Sequence, residues 1–256
     1  MTDTHIHMKP KVNMRLAGFG NIFRSESRKW LGTRRWLIQS LIWLFMVNSL
    51  VMVADFWSAE SREAIVNRGM EFFFLIILIL PILGLSIMMQ GIIVAEKQSG
   101  TAAWVLSKPV SRKAFILAKF FGNLIPALLI MIVLQSGVAY FQIATAAGGM
   151  FPAIQFFGKT GVAMLHLLFY HALILMLGTL FQVRGPVAGI PIVLLLGLLI
   201  SDEILPSALI DISPAGLFTI TSGSLASINP VTLVVVPSWI IVFVLVSLWR
   251  FEKEEF

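Results

Sequence analysis

Two histidines and one polar hairpin are the features of this chain whose residue types and spacing could do chemistry. His166 and His171 lie in a long apolar run. A metal or haem would need their imidazoles to converge. Residues five apart on a helix stand about 140° from one another, so one helix does not aim both at one point. Hydrogen bonding across to a neighbouring helix is the expected role of each. Asn48, Gln90, Asn123, Gln135 and Gln142 are also polar within apolar runs. Such groups should face protein or a wet path rather than lipid. Met88, Met89, Met164 and Met176 are read as packing residues, since methionine fills irregular apolar gaps. No Gly-x4-Gly-Lys-Ser/Thr phosphate loop, no Gly-x-Ser-x-Gly elbow and no His-Glu-x-x-His pair occurs. The sequence therefore offers no visible means of hydrolysing ATP and no catalytic site. With no cysteine, it has no disulfide framework and no thiolate chemistry.

The polar hairpin is Glu96–Lys119, EKQSGTAAWVLSKPVSRKAFILAK. Gly100 should break the preceding helix. Thr101 can cap a short helix running to Leu106, and Ser111 can cap the next long one. Pro109 forces the turn between them. Trp104, Val105 and Leu106 give the short helix an apolar surface, and exposed apolar groups outside lipid mark a partner. The competing reading is a plain cationic loop resting on anionic headgroups, with Trp104 at the interface.

The elements that must position this hairpin follow from composition. The 256 residues are 58% hydrophobic and 12% charged, with a mean hydropathy of +0.91. A soluble domain of this length could not hide that much apolar surface. The fold class expected is all-α, a polytopic membrane protein. Its six spans are Trp36–Phe56, Phe72–Ala95, Phe115–Ile143, Gly161–Val183, Val187–Ile200 and Val231–Trp249, with a kink near Pro81 and Gly84. The fifth is short, about 21 Å as a helix. Residues 1–35 are a basic segment in which Leu16, Phe19, Phe23 and Trp30 recur near helical spacing, which suits an amphipathic helix in the headgroup layer. Residues 36–249 form the six-span membrane domain, with the hairpin at 96–113, and 250–256 form a cytoplasmic tail. Residues 201–230 make an external segment broken by Pro206, Pro214, Gly216 and Gly223. It either re-enters among other helices or lies outside as an ordinary loop. Asp202 and Glu203 are expected at the outer interface.

Charge orients the spans. With the N-terminus inside, inner segments hold 16 of the 19 Lys and Arg, and outer ones hold only Arg62, Arg68 and Lys159. By the positive-inside rule both termini and the hairpin are cytoplasmic. The formal charge of +6 thus reflects topology, and no nucleic-acid partner is expected.

The hairpin resembles the loop between the second and third spans of ABC transporter permeases of the type 2 (ABC-2-like) class. Those chains carry an acidic residue, Gly-Thr, a short Leu-containing helix, then Pro-Val-Ser-Arg and a downstream Lys. Here the matching positions are Glu96, Gly100, Thr101, Leu106, Pro109, Val110, Ser111, Arg112 and Lys119. The resemblance implies a permease subunit of an ATP-driven exporter in a bacterial or archaeal inner membrane, working by alternating access. It implies two copies or two related chains, two separate ABC ATPase subunits that use ATP and Mg, and membrane lipid as the surrounding partner. Thr101–Leu106 would be the coupling helix, with Glu96 and Arg112 anchoring it by charge and Trp104 and Leu106 buried in an ATPase groove. Two other readings stand beside it. One is a mechanotransmission or regulatory membrane subunit without transport. The other is a membrane enzyme using His166 or His171.

Overall fold

A computed structural model describes residues 16–32, 34–53, 61–200 and 205–254. Lys9, Lys11 and Arg15, the expected end of the first span at Phe56, and Asp202 and Glu203 lie outside the described residues. All regular structure among the described residues is helical. Helix α1 is Phe19–Leu31, α2 Arg35–Val53 and α3 Arg62–Met89. The hairpin helices are α4, Val94–Gln98, and α5, Thr101–Leu106. Helix α6, Arg112–Leu128, runs through a π-helical turn, Leu129–Val133, into α7, Leu134–Ala146. Helices α8, Ala153–Leu180, and α9, Arg184–Leu199, follow. A broken segment holds α10, Ser207–Asp211, and 3-10 turns at Pro214–Ile220 and Leu225–Ser227. The last helix, α11, is Pro230–Glu252.

Five helical stretches are long and apolar enough to cross a membrane, and α9 is a shorter apolar sixth. Contacts at the helix ends define two faces. On one, Lys97 Nζ donates to the Thr179 carbonyl at 3.0 Å, Gln98 to the Gln182 carbonyl at 2.8 Å, and Gln182 to Glu254 at 2.9 Å. On the other, Arg62 donates to the Met150 carbonyl at 2.6 Å and Asn229 to Asp211 at 2.7 Å. Helix α9 begins beside the first face, where Arg184 approaches Gly91, and the chain next reappears on the second. The short fifth run therefore passes between the faces like its neighbours.

Most helices extend beyond the apolar runs that mark them. Helix α8 starts about two turns before Gly161, because residues 153–160 mix polar and apolar side chains yet contain no proline to stop a helix. Helix α3 starts ten residues before Phe72 and continues through Pro81 and Gly84, but it ends at Met89, short of the expected Ala95, where a turn at 90–93 leads into α4. Gly84 receives Trp43 of α2: a Cβ there would lie 2.4 Å from Trp43 Cη2. The π-turn follows Pro126, which has no N–H to give. Gln135 Nε2 donates to the Ile130 carbonyl at 2.8 Å, and its Oε1 accepts from Asn48 Nδ2 at 2.8 Å. One side chain thus satisfies the irregular turn and ties it to α2, which is the protein-facing role expected of intramembrane amides.

The broken segment enters the bundle rather than lying over it. Leu217 and Ile220 are fully buried, and Phe218 meets His166 edge-to-face at 5.2 Å. His166 is about 20 Å along α8 from Ala153. Covering helices supply the protein environment that an irregular backbone needs at such depth.

Candidate coupling site

The hairpin is held from three directions. Gly100 opens α5 in the left-handed region (φ 70°), a conformation that costs glycine nothing. Thr101 is the first helical residue rather than the cap, a correction to its expected role. Its hydroxyl lies 2.8 Å from the Ser99 hydroxyl instead of closing on the helix, because the glycine already turns the chain. Ser111 does cap α6, its Oγ accepting from Ala114 N at 3.1 Å. Between them the exposed Pro109 directs the chain back, Val110 N donates to the Lys108 carbonyl at 2.6 Å, and Ser111 N donates to the Ala17 carbonyl at 3.0 Å. Gly18 has φ 85° and packs on Val110, where a Cβ would fall 2.6 Å from Val110 Cγ2. The turn is thereby clamped to the start of α1.

The second tie is ionic. Lys119 on α6 is 1% exposed, and its Nζ lies 2.7 Å from Glu96 Oε1 on α4 and 3.0 Å from Glu26 Oε1 on α1. Lys29 adds a 2.7 Å contact to Glu26 and a 3.9 Å one to Glu96. Asn123, one turn beyond Lys119, donates to Glu26 at 3.3 Å and accepts from Trp30 Nε1 at 2.8 Å. Burial works to raise the Glu26 carboxyl, but the Lys119 and Lys29 ammonium groups outweigh it and hold it below the ordinary carboxylate range. Gly122 permits the approach of α1, since a Cβ there would sit 2.7 Å from Glu26 Cβ.

The third tie reaches the C-terminus. Arg112 Nη1 stands 3.2, 2.8 and 2.5 Å from the carbonyls of Phe251, Glu252 and Glu254. A guanidinium at these last-turn carbonyls suits the negative end of α11. Phe115 stacks on Phe251 at 5.1 Å. Glu254 takes Lys97 at 3.1 Å. Burial pushes the Glu254 carboxyl up, while the hydrogen bond from Gln182 and the Lys97 ammonium bring it below its usual range. Glu96 and Arg112 thus anchor the hairpin, as the residue types suggest, but onto this chain's own helices.

What faces outward is narrow. Ala102 is buried, and Val105 and Leu106 pack in part on the chain's own core. Trp104 is 62% exposed, with Lys108 Nζ 3.5 Å above its ring. The apolar surface that α5 offers is Trp104, with Leu106 half turned inward. Glu26 belongs to no motif that marks it as a site residue. Its signal was a lone acid between Ile22 and Trp30 at four-residue spacing, on the stripe of α1 that packs inward.

A search of curated proteins finds no match, but the sequence matches the family described as ABC-2 family transporter protein over residues 4–256. The chain belongs to that family. An ABC-2 membrane subunit is a transporter component rather than a catalyst, and it associates with an ABC ATPase. The histidines fit that assignment as structural groups. His171 Nε2 is 3.0 Å from the Phe120 carbonyl of α6. His166 packs against Tyr170 at 5.0 Å and faces the Leu78 backbone without a formed hydrogen bond. Among the described residues no three His, Asp or Glu side chains gather as a metal site.

Proposed function

We propose that this ABC-2 subunit is the permease of an ATP-driven exporter, moving its substrate by alternating access while separate ATPase subunits bind and hydrolyse ATP with Mg. The hairpin is the transmission element and α5 the coupling helix. One observation carries this reading: Trp104 stands exposed on α5, and the hairpin that holds α5 is tied on either side of it, through Glu96 to Lys119 of α6 and its partner Glu26 of α1, and through Arg112 to the C-terminal end of α11. Force applied at Trp104 would pass into α1, α6 and α11 rather than bend a loose loop. Two such chains, or two related ones, would pair in the lipid of a bacterial or archaeal cytoplasmic membrane, with hairpin and termini in the cytoplasm as the charge bias requires.

Burying a large apolar side chain is worth about 1.5–3 kcal/mol, so Trp104→Asp should abolish copurification of the ATPase and substrate-stimulated hydrolysis while membrane insertion stays normal. Leu106→Asp is a less clean probe, because Leu106 also packs inward. Retention of the ATPase by Trp104→Asp at wild-type yield would remove the hairpin from the mechanism.

A further inference from the structure

On the face opposite the hairpin, a cavity of about 550 Å³ opens between α3, the first turns of α8 and residues 221–226. Lys159 lines it and is 5% exposed. Two other lysines with buried side chains are neutralised at short range: Lys97 by Glu254 at 3.1 Å, and Lys119 by Glu96 and Glu26. Lys159 differs. Among the described residues it makes no hydrogen bond or ion pair; the Phe74 ring centroid lies 5.6 Å from its Nζ, and the charge of Glu71 acts on it from the same cavity wall. An ammonium on so buried a side chain, without a short-range partner in the protein, is unfavourable unless the cavity it borders supplies one, and that space is large enough for a small ligand.

We propose that this cavity is a binding site for a singly charged amphipathic anion, held by Lys159. The amides of Asn67 and Gln155 and the Ser224 hydroxyl line the same space and can complete the shell of a carboxylate or phosphodiester. Met70 and Leu225 give an apolar wall for a short tail. Glu71 at the same wall disfavours a second negative charge. The anion could come from a free solute or from a lipid headgroup. As a ligand site this extends the transport reading, and it is measured without an ATPase, so its failure leaves the hairpin result untouched.

The test uses the full chain in phosphatidylcholine nanodiscs. Radiolabelled hexanoate is titrated, with hexanamide as uncharged competitor, and native mass spectrometry counts phosphatidylglycerol retained from mixed-lipid discs. Saturable hexanoate binding that hexanamide does not displace supports a solute; one retained phosphatidylglycerol per chain supports a headgroup. In either case Lys159→Met should weaken binding at least tenfold and Lys159→Arg should keep it. Should Lys159→Met fail to fold, Glu71→Gln serves, since removing that charge should tighten anion binding. Absence of both kinds of binding, equal competition by hexanamide, unchanged binding by Lys159→Met, or weaker binding by Glu71→Gln would each overturn the proposal.

Discussion

Replacing Lys119 by Met tests whether the three-helix ion cluster holds the hairpin in place. The substitution keeps most of the side chain's volume and removes only the charge. It leaves Glu26, whose side chain is 5% exposed, and Glu96, 21% exposed, facing the site that one ammonium occupied. Breaking a buried ion pair from one side costs about 3–5 kcal/mol, because a charge stays behind without its partner. The proximity of two carboxylates adds to this, and Lys29 offsets part of it. Glu96→Gln is a milder change. The amide oxygen can still accept from Lys119, Glu26 remains, and Glu96 is the more exposed partner, so the loss should lie near the low end of the roughly 1.5–3 kcal/mol of a charged hydrogen bond. For a chain of this size each kcal/mol moves the unfolding midpoint by about 2–4 °C. Lys119→Met should therefore melt about 6–20 °C lower than wild type in detergent, and Glu96→Gln only a few degrees lower. A disulfide placed between α1 and α6, feasible because no native cysteine interferes, should form more slowly in Lys119→Met. If Lys119→Met melts within 2 °C of Glu96→Gln, contradicting the separation given by those magnitudes, the cluster does not bear on the hairpin's position.

Gly122→Ala should destabilise by about 1–3 kcal/mol, since its Cβ meets Glu26 Cβ at 2.7 Å, whereas Gly137→Ala, with open space around it, should be neutral or slightly stabilising; paired melting curves check both. The depressed Glu26 and Glu254 carboxyls contribute stability that is complete above the ordinary carboxylate value of about 4.3. That stability is lost as pH falls further, through their lower folded-state values, so the Lys119→Met melting deficit should shrink in acid, as a pH series of unfolding midpoints would record. An impermeant thiol reagent should leave Ser107→Cys unlabelled in intact cells and label it in inverted vesicles; labelling of intact cells would reverse the proposed orientation.

The all-α membrane character and the turns of the hairpin were legible because their causes are local. Apolar length marks a span, and Gly100, Pro109 and Ser111 act within a turn of themselves. Helix extents were less so: α8 begins among polar residues that hydropathy cannot distinguish from a loop, and its early turns carry Lys159 into a cavity wall instead of an external loop. The choice between re-entry and an ordinary loop for the broken segment depended on covering helices, which are distant in sequence. The cap at Thr101 was misplaced by one residue because Ser, Gly and Thr are adjacent, and only backbone geometry decides which of them turns the chain. Most of the site was hidden for the same reason. Glu26 and Lys119 are 93 residues apart, and neither carries a local sign of the other.

These distant contacts alter what the hairpin's charged residues do. As rim groups, Glu96 and Arg112 would contribute little to a partner's binding, because solvent and salt screen exposed pairs. In the folded chain Glu96 touches a buried ammonium, and Arg112 closes the end of α11. Their removal should loosen the hairpin from its own membrane helices while leaving Trp104 able to meet a partner. The expected signature is therefore a split: Glu96→Ala and Arg112→Ala retain the copurifying ATPase but lose substrate stimulation of its hydrolysis, whereas Trp104→Asp loses both. If all three variants lost the ATPase together, the hairpin would be acting as one docking surface, and its ties to α1, α6 and α11 would serve folding rather than transmission.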